Sequence, residues 1–139
     1  MAPGFEFFDH TADLGIRVFA LDRWALVPAA VEALYAAIGE LVPGRDGEAA
    51  GFTFVGTAAA SLLRDFMAEL LVAFETRAIM LTDVSVRVFE DDRLEVGGSF
   101  RPVDHDRSVL LREVKAITYH ELSLEKTGAG WEARIIIDI

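Results

Sequence analysis

Residues 9–19, Asp-His-Thr-Ala-Asp-Leu-Gly-Ile-Arg-Val-Phe, join a short polar segment to an apolar strand pattern. From Leu14 to Val18 every other residue is a large aliphatic, which is the period-two alternation of a β-strand. The aromatic-rich segment Phe5–Phe8 just before it predicts another short strand. The two strands should flank the acidic segment, with Asp13 at a strand edge on the face opposite Leu14.

Further along the chain, the apolar spacing becomes that of helices. From about Trp24 to Val42 the apolar residues form one helical stripe, and Pro43-Gly44 is expected to end this helix. Pro28 would be tolerable only near the first turn. A second helix is predicted with Thr57 as its N-cap. Its buried stripe is expected to contain Leu62, Leu63, Phe66, Met67, Leu70, Leu71 and Phe74.

The other segments alternate as strands do. Residues 52–55 predict a brief strand, and residues 82–89 and 94–100 predict a hairpin with an acidic turn and a bulge at Gly97-Gly98. Residues 114–124 and 131–139 predict a second antiparallel hairpin, so that the last strand lies inside the sheet. Together these elements predict an α+β fold in one compact domain, residues 1–139, with two helices packed on a mostly antiparallel sheet.

Composition limits the classes of function. With 139 residues, 53% of them hydrophobic, the chain can bury a core without disulfides. It has no cysteine, which excludes thiol nucleophiles and Cys-based zinc sites. A formal net charge of −10 disfavours direct nucleic-acid binding and favours divalent cations or basic protein surfaces. No leader-like segment or apolar run of roughly 18 residues is present, so we expect a soluble, cytoplasmic protein without membrane contact.

Most common catalytic motifs are absent from the sequence. It has no phosphate loop, no dinucleotide-binding glycine motif and no nucleophile elbow. What remains is a set of oxygen ligands from the two ends of the chain: Asp13, Asp138 and the α-carboxylate of Ile139. Carboxylates suit a hard cation, Ca²⁺ or Mg²⁺. The alternative is that Asp13 caps a turn and Asp138 is a solvated tail residue.

The three histidines, His10, His105 and His120, lack the close spacing of a zinc site. His105 lies between two acids on a polar loop and is expected to be exposed. His120 lies on the mostly apolar face of the predicted strand 114–124. It is therefore expected to be a core histidine whose hydrogen bonds are satisfied.

Three motifs, in this order along the full chain, resemble those of the archease family. They are Asp-His-Thr-Ala-Asp-Leu-Gly at 9–15, Glu-Val-Lys-Ala-Ile-Thr-Tyr-His at 113–120 and Ile-Asp-Ile at 137–139. The resemblance implies a compact fold related to strand-helix-strand-strand modules. It also implies a non-catalytic activator of an RtcB-type, GTP-dependent RNA ligase in tRNA splicing and RNA repair, which promotes ligase guanylylation and multiple turnover.

The resemblance further implies roles for individual residues. The family's calcium site maps onto Asp13, Asp138 and Ile139, with Mg²⁺ or another divalent cation as the alternative occupant. Lys115 maps onto a position that is needed for activation.

Three more residues belong to the same motifs and are expected to serve in activation: Asp9, His10 and His120. Asp9 either contacts the metal or only orients its neighbours. One departure concerns the first helix, where archeases commonly have paired acids and this chain has Trp24–Pro28. If those acids touch the ligase, the contact differs here.

A small metal-dependent hydrolase is the alternative function. Asp13 and Asp138 would hold a cation that polarises water, and His10 or His120 would be the base. The sequence lacks a second metal cluster and a substrate-anchoring motif, which disfavours this alternative.

Overall fold

Two helices and ten strands make up the computed structural model, which describes residues 2–139. In chain order they are β1 (Gly4–His10), β2 (Asp13–Ala20), α1 (Arg23–Ile38), β3 (Gly39–Glu40), β4 (Glu48–Val55), α2 (Ala59–Arg77), β5 (Ile79–Phe89), β6 (Arg93–Pro102), β7 (Val109–Leu110), β8 (Ala116–Ile117), β9 (Ser123–Thr127) and β10 (Gly130–Asp138). Within these residues every pairing of the strands is antiparallel. The predicted α+β class is confirmed.

The largest sheet has five strands and is organised around β10. One edge of β10 pairs with β2, from Trp131 opposite Ala20 to Ile137 opposite Leu14, and β1 pairs with the other edge of β2. The second edge of β10 is shared, because β9 pairs with its first half and β8 with its last two residues. The two predicted N-terminal strands and the inner position of the last strand are therefore confirmed.

A three-stranded sheet, in the order β4-β6-β5, contains the predicted hairpin with the acidic turn. Between Thr82 and Ser85, two residues of β5 oppose Gly98 alone, and one of them, Asp83, has a positive φ of 54°. A Cβ on Gly98 would lie 2.8 Å from the Thr82 carbonyl oxygen, so the close approach needs glycine. The bulge lies where it was predicted, although the extra residue belongs to β5.

The helices join the two larger sheets into one core. α1 contacts β2 and β10 of the first sheet and β5 of the second, and it is buried on most of its surface. α2 packs against β4, β5, β6 and β8. Its predicted stripe is buried except for Phe74, which is only partly buried, and Phe66 lies edge-on to Phe52 at 5.1 Å between ring centroids. Within residues 2–139, neither helix combines the length and apolarity that crossing a membrane requires.

The first helix ends earlier than predicted. It stops at Ile38 rather than at Pro43-Gly44, because Gly39 leaves the helix and pairs with Leu110 of β7. A Cβ at position 39 would collide with the carbonyl oxygen of Val109. The close approach of the two backbones at this position therefore fixes the end of the helix.

The position of one proline and two element boundaries also differ from the predictions. Pro28 lies in the second turn of α1, where it removes the N–H that would bond the Trp24 carbonyl. α2 begins at Ala59 after Ala58, so Thr57 is not the cap and the cap has no side-chain hydrogen bond. β4 begins at Glu48, before the start of the strand predicted at residues 52–55.

The predicted continuous strand 114–124 is wrong. Its two ends pair with β10, as β8 and as the first residues of β9, and between them the chain turns. The Thr118 hydroxyl donates to a carbonyl oxygen of β10 at 2.8 Å and accepts from the His120 N–H at 3.2 Å, and Glu121 has a positive φ of 50°. Such local bonds compete with a strand ladder. The side chain of His120 is 64% exposed, so the expectation of a core histidine is also wrong.

Candidate functional site

Asp13 and Asp138 lie at the same end of the five-stranded sheet. The last pair recorded between β2 and β10 is Leu14 opposite Ile137, and one step further in this register Asp13 stands opposite Asp138. Directly opposed residues of antiparallel strands share a face of the sheet. The fold thus brings together two carboxylates from opposite ends of the sequence.

Backbone hydrogen bonds hold the end of β10 in place. The Lys115 N–H donates to the Asp138 carbonyl oxygen at 2.7 Å, and the Thr118 N–H donates to that of Ile136 at 3.0 Å. Ile139 follows directly and is 37% exposed. Lys115 is exposed, and none of the ion pairs found in residues 2–139 involves its ammonium group. Its charge is therefore free for a partner.

A second cluster lies beside the carboxylates. His10 Nε2 is 2.8 Å from Glu121 Oε2, and His120 Nε2 is 3.9 Å from the same oxygen. The two imidazole rings are edge-on, with centroids 5.4 Å apart. Among residues 2–139, these three side chains are the group of His, Asp and Glu whose ligand atoms all lie within 4.8 Å of one another.

Asp13 also neighbours this histidine cluster. His10 and Asp13 are paired across the β1–β2 turn, and His10 Nδ1 lies 3.8 Å from Asp13 Oδ2. His10 Nδ1 is buried and makes no hydrogen bond within the described residues. The turn that creates this pairing has Ala12 at a positive φ of 64°. His10 therefore stands between Asp13 and Glu121, with one ring nitrogen toward each.

Helix α2 anchors the loop that carries His120. The Tyr119 hydroxyl donates to Asp65 Oδ1 at 2.8 Å, and the Arg64 guanidinium donates to the Ile117 carbonyl oxygen at 2.8 Å. The same guanidinium lies over the Tyr119 ring, 4.1 Å from its centroid. These contacts fix two residues that closely precede the exposed imidazole of His120.

The match to known proteins covers nearly the whole chain. The family described as "Archease protein family (MTH1598/TM1083)" matches residues 5–139. The chain belongs to the archease family. "Protein archease" of Archaeoglobus fulgidus is 30% identical over 97% of this chain and 98% of its own length. That of Methanopyrus kandleri is 30% identical over 96% and 98%.

Solved structures related to the archease chain share its fold. The solution structure of Methanobacterium thermoautotrophicum protein 1598 has a TM-score of 0.75 and 26% identity, covering 98% of this chain and 99% of that one. The crystal structure of a Thermotoga maritima protein described as "an archease, possible chaperone" has a TM-score of 0.67 and covers 95% and 94%. At 20% identity, the second likeness shows the fold alone.

The three archease motifs of the sequence meet at one end of the sheet, and one of their residues is set apart. Asp9 pairs with Leu14, whereas His10 pairs with Asp13. Side chains alternate between faces along a strand, so Asp9 lies on the opposite face from His10 and Asp13. The register therefore separates Asp9 from the carboxylates of the candidate site.

Trp24, in the segment that departs from the expected resemblance, is 49% exposed on the first turn of α1. Glu121 was not identified from the sequence, because the strand predicted for 114–124 placed it away from His120. The available signal was an acid directly after the histidine of a motif.

Proposed function

We propose that this archease-family protein is a non-catalytic, cytoplasmic activator of an RtcB-type, GTP-dependent RNA ligase in tRNA splicing and RNA repair. It promotes guanylylation of the ligase and multiple turnover, and the ligase supplies the chemistry. The observation that carries the proposal is the family match over residues 5–139 together with the meeting of all three motifs at one end of the sheet.

The proposal includes a calcium site formed by Asp13, Asp138 and the carboxylate of Ile139. Opposed like charges destabilise a pair of strands unless a cation lies between them. No Lys or Arg in residues 2–139 forms an ion pair with either aspartate, and the neighbour of Asp13 is His10 at 3.8 Å. An all-oxygen donor set of this charge fits Ca²⁺, with Mg²⁺ as the second choice.

A protein partner fits the surface around Lys115 better than a nucleic acid does. A groove of about 580 Å³ runs beside Lys115 and is lined in part by Leu110 and Leu111, which are 68% and 57% exposed. Exposed apolar side chains grouped in this way are typical of protein contact surfaces. The net charge of −10 acts against a phosphate backbone. The ligase is the partner to which we assign this surface.

The rate of ligase guanylylation tests the proposal. The ligase is incubated with labelled GTP, with and without this protein, and the covalently bound label is counted. We expect faster labelling in its presence and no hydrolysis of general phosphoester or ester substrates by this protein alone. An unchanged labelling rate together with metal-dependent hydrolysis would replace the proposal with the hydrolase alternative.

A further inference from the structure

His10, His120 and Glu121 lie beside the carboxylate pair but differ from it in ligand chemistry. We propose that His10 Nε2, His120 Nε2 and Glu121 Oε2 bind a divalent transition metal of the zinc class, at a site separate from the proposed calcium site. Imidazole nitrogens suit borderline metals such as Zn²⁺, Co²⁺ and Ni²⁺, whereas Ca²⁺ takes oxygen ligands. This site does not depend on the proposed function.

The distances in the cluster are close to those of a metal site. Zinc bonds to nitrogen and oxygen of about 2.1 Å in a tetrahedron place the ligand atoms about 3.4 Å apart. The Glu121 Oε2 atom lies 2.8 Å from His10 Nε2 and 3.9 Å from His120 Nε2, one shorter and one longer than that value. The side chains of Glu121 and His120 are 63% and 64% exposed, so both can shift by the required fraction of an ångström.

The surroundings of His10 fit a metal on Nε2. A metal bound at Nε2 leaves the ring proton on Nδ1, and metal-ligating histidines usually donate that proton to a carboxylate or a carbonyl. Here the buried Nδ1 has no hydrogen bond within the described residues, and Asp13 Oδ2 lies 3.8 Å from it. Asp13 is thus placed to orient the imidazole and to increase its basicity.

The remaining ligands come from a loop that is held from outside the cluster. Tyr119, which directly precedes His120 in the chain, donates a hydrogen bond to Asp65 of α2. Because two of the three ligands are exposed, the fourth coordination position opens to solvent, as in zinc sites with three protein ligands and one water. The site therefore has room to accept a water or a donor atom from a partner.

Metal titration of the protein alone tests this inference. ZnCl₂ binding is measured by calorimetry, and CoCl₂ binding by the visible absorption of four-coordinate Co²⁺. We expect one Zn²⁺ per chain. His120→Gln and Glu121→Gln should each weaken binding at least about tenfold, since the loss of an outer-sphere partner alone costs 10- to 100-fold. Both residues are exposed, so the fold should survive, which circular dichroism checks.

Two controls separate this site from others. His105→Gln removes an exposed histidine that lies between β6 and β7, outside the cluster, and should leave Zn²⁺ affinity unchanged. Asp138→Asn should weaken Ca²⁺ binding and retain Zn²⁺ binding. Equal Zn²⁺ affinity for His120→Gln and the unmodified protein would overturn the inference. So would a loss of Zn²⁺ binding in Asp138→Asn as large as that in His120→Gln, because the metal would then lie on the carboxylates.

Discussion

His10 Nε2 and Glu121 Oε2 are 2.8 Å apart, although the two residues are separated by 111 positions in the sequence. Their contact joins the β1–β2 turn to the loop between β8 and β9. On the other side of His10, the register of β2 and β10 sets Asp13 opposite Asp138. Motifs from both ends of the sequence therefore form one surface.

Removing the charge of one carboxylate of the Asp13–Asp138 pair should weaken calcium binding without lowering the stability of the calcium-free protein. Asp13→Asn keeps the shape of the side chain but removes a charge, so we expect Ca²⁺ affinity to fall at least about tenfold. Without calcium the variant should be at least as stable as the unmodified protein, because a like-charge pair is relieved. Added Ca²⁺ should raise the melting temperature of the unmodified protein more than that of the variant. Asp46→Asn, on an exposed loop, is the matched control.

A short extension after Ile139 tests whether its carboxylate is a ligand. The extension converts this group into a neutral amide, whose carbonyl can still contact Ca²⁺ but without charge. We expect affinity to fall by roughly tenfold, equivalent to about 1.4 kcal/mol. The same extension at the N-terminus should have no comparable effect. Equal affinity of the two extended proteins in calorimetry would exclude the Ile139 carboxylate from the site.

Lys115 should be needed for activation and not for folding. Its side chain is exposed and forms no ion pair in residues 2–139, so Lys115→Ala should change the free energy of unfolding by less than about 0.5 kcal/mol. Ligase activation should be lost if the ammonium group pairs with a ligase carboxylate or a phosphate of GTP. Lys126→Ala, which removes the chain's other lysine, controls for net charge. Full activation of the ligase by the Lys115→Ala variant would show that Lys115 is a surface charge without a role in activation.

Stability at high pH should depend on Tyr35. Burial raises the pKa of Tyr35 from 10.0 to about 12, and its hydroxyl accepts a 2.7 Å hydrogen bond from the Leu81 N–H. The unfolded chain loses this proton first, so the stabilisation is complete below pH 10 and decreases between pH 10 and 12. The total loss should be on the order of 3 kcal/mol.

Tyr35→Phe provides the comparison for this pH dependence. It leaves the buried Leu81 N–H without a partner, which should cost about 1–3 kcal/mol at neutral pH. It should also flatten the decrease in stability between pH 10 and 12, measured by urea unfolding. Tyr119→Phe, at an exposed tyrosine, should retain the decrease. An equally steep decrease in Tyr35→Phe would assign the effect to other groups.

The sequence predicted those parts of the fold that depend on local periodicity. The alternation from Leu14 to Val18 and the stripe around Phe66 became a strand and a buried helix. The errors arose where tertiary contacts determine the backbone. Gly39 ends α1 because of β7, which no pattern within the helix reveals. The strand predicted through His120 is interrupted by a turn that includes Glu121. The positive φ of Glu121 cannot be inferred from a period-two pattern.

The candidate site was predictable only where its residues lie on strands with a clear local periodicity. Asp13 and Asp138 each lie at the end of a readable strand, so their motifs pointed to them before the pairing of β2 with β10 was known. Glu121 depended on a turn made by the Thr118 hydroxyl and could not be placed beside His10 from the sequence. The opposite orientation of Asp9 follows only from the β1–β2 register.

Multiple-turnover RNA joining tests the central claim most directly. The RtcB-type ligase is supplied with GTP, metal and an excess of cleaved RNA, and joined RNA per ligase molecule is counted with no addition, with this protein and with its Asp138→Asn variant. The account predicts many joined molecules per ligase with the unmodified protein, and far fewer with the variant or with no addition. Equal product in all three reactions would contradict it.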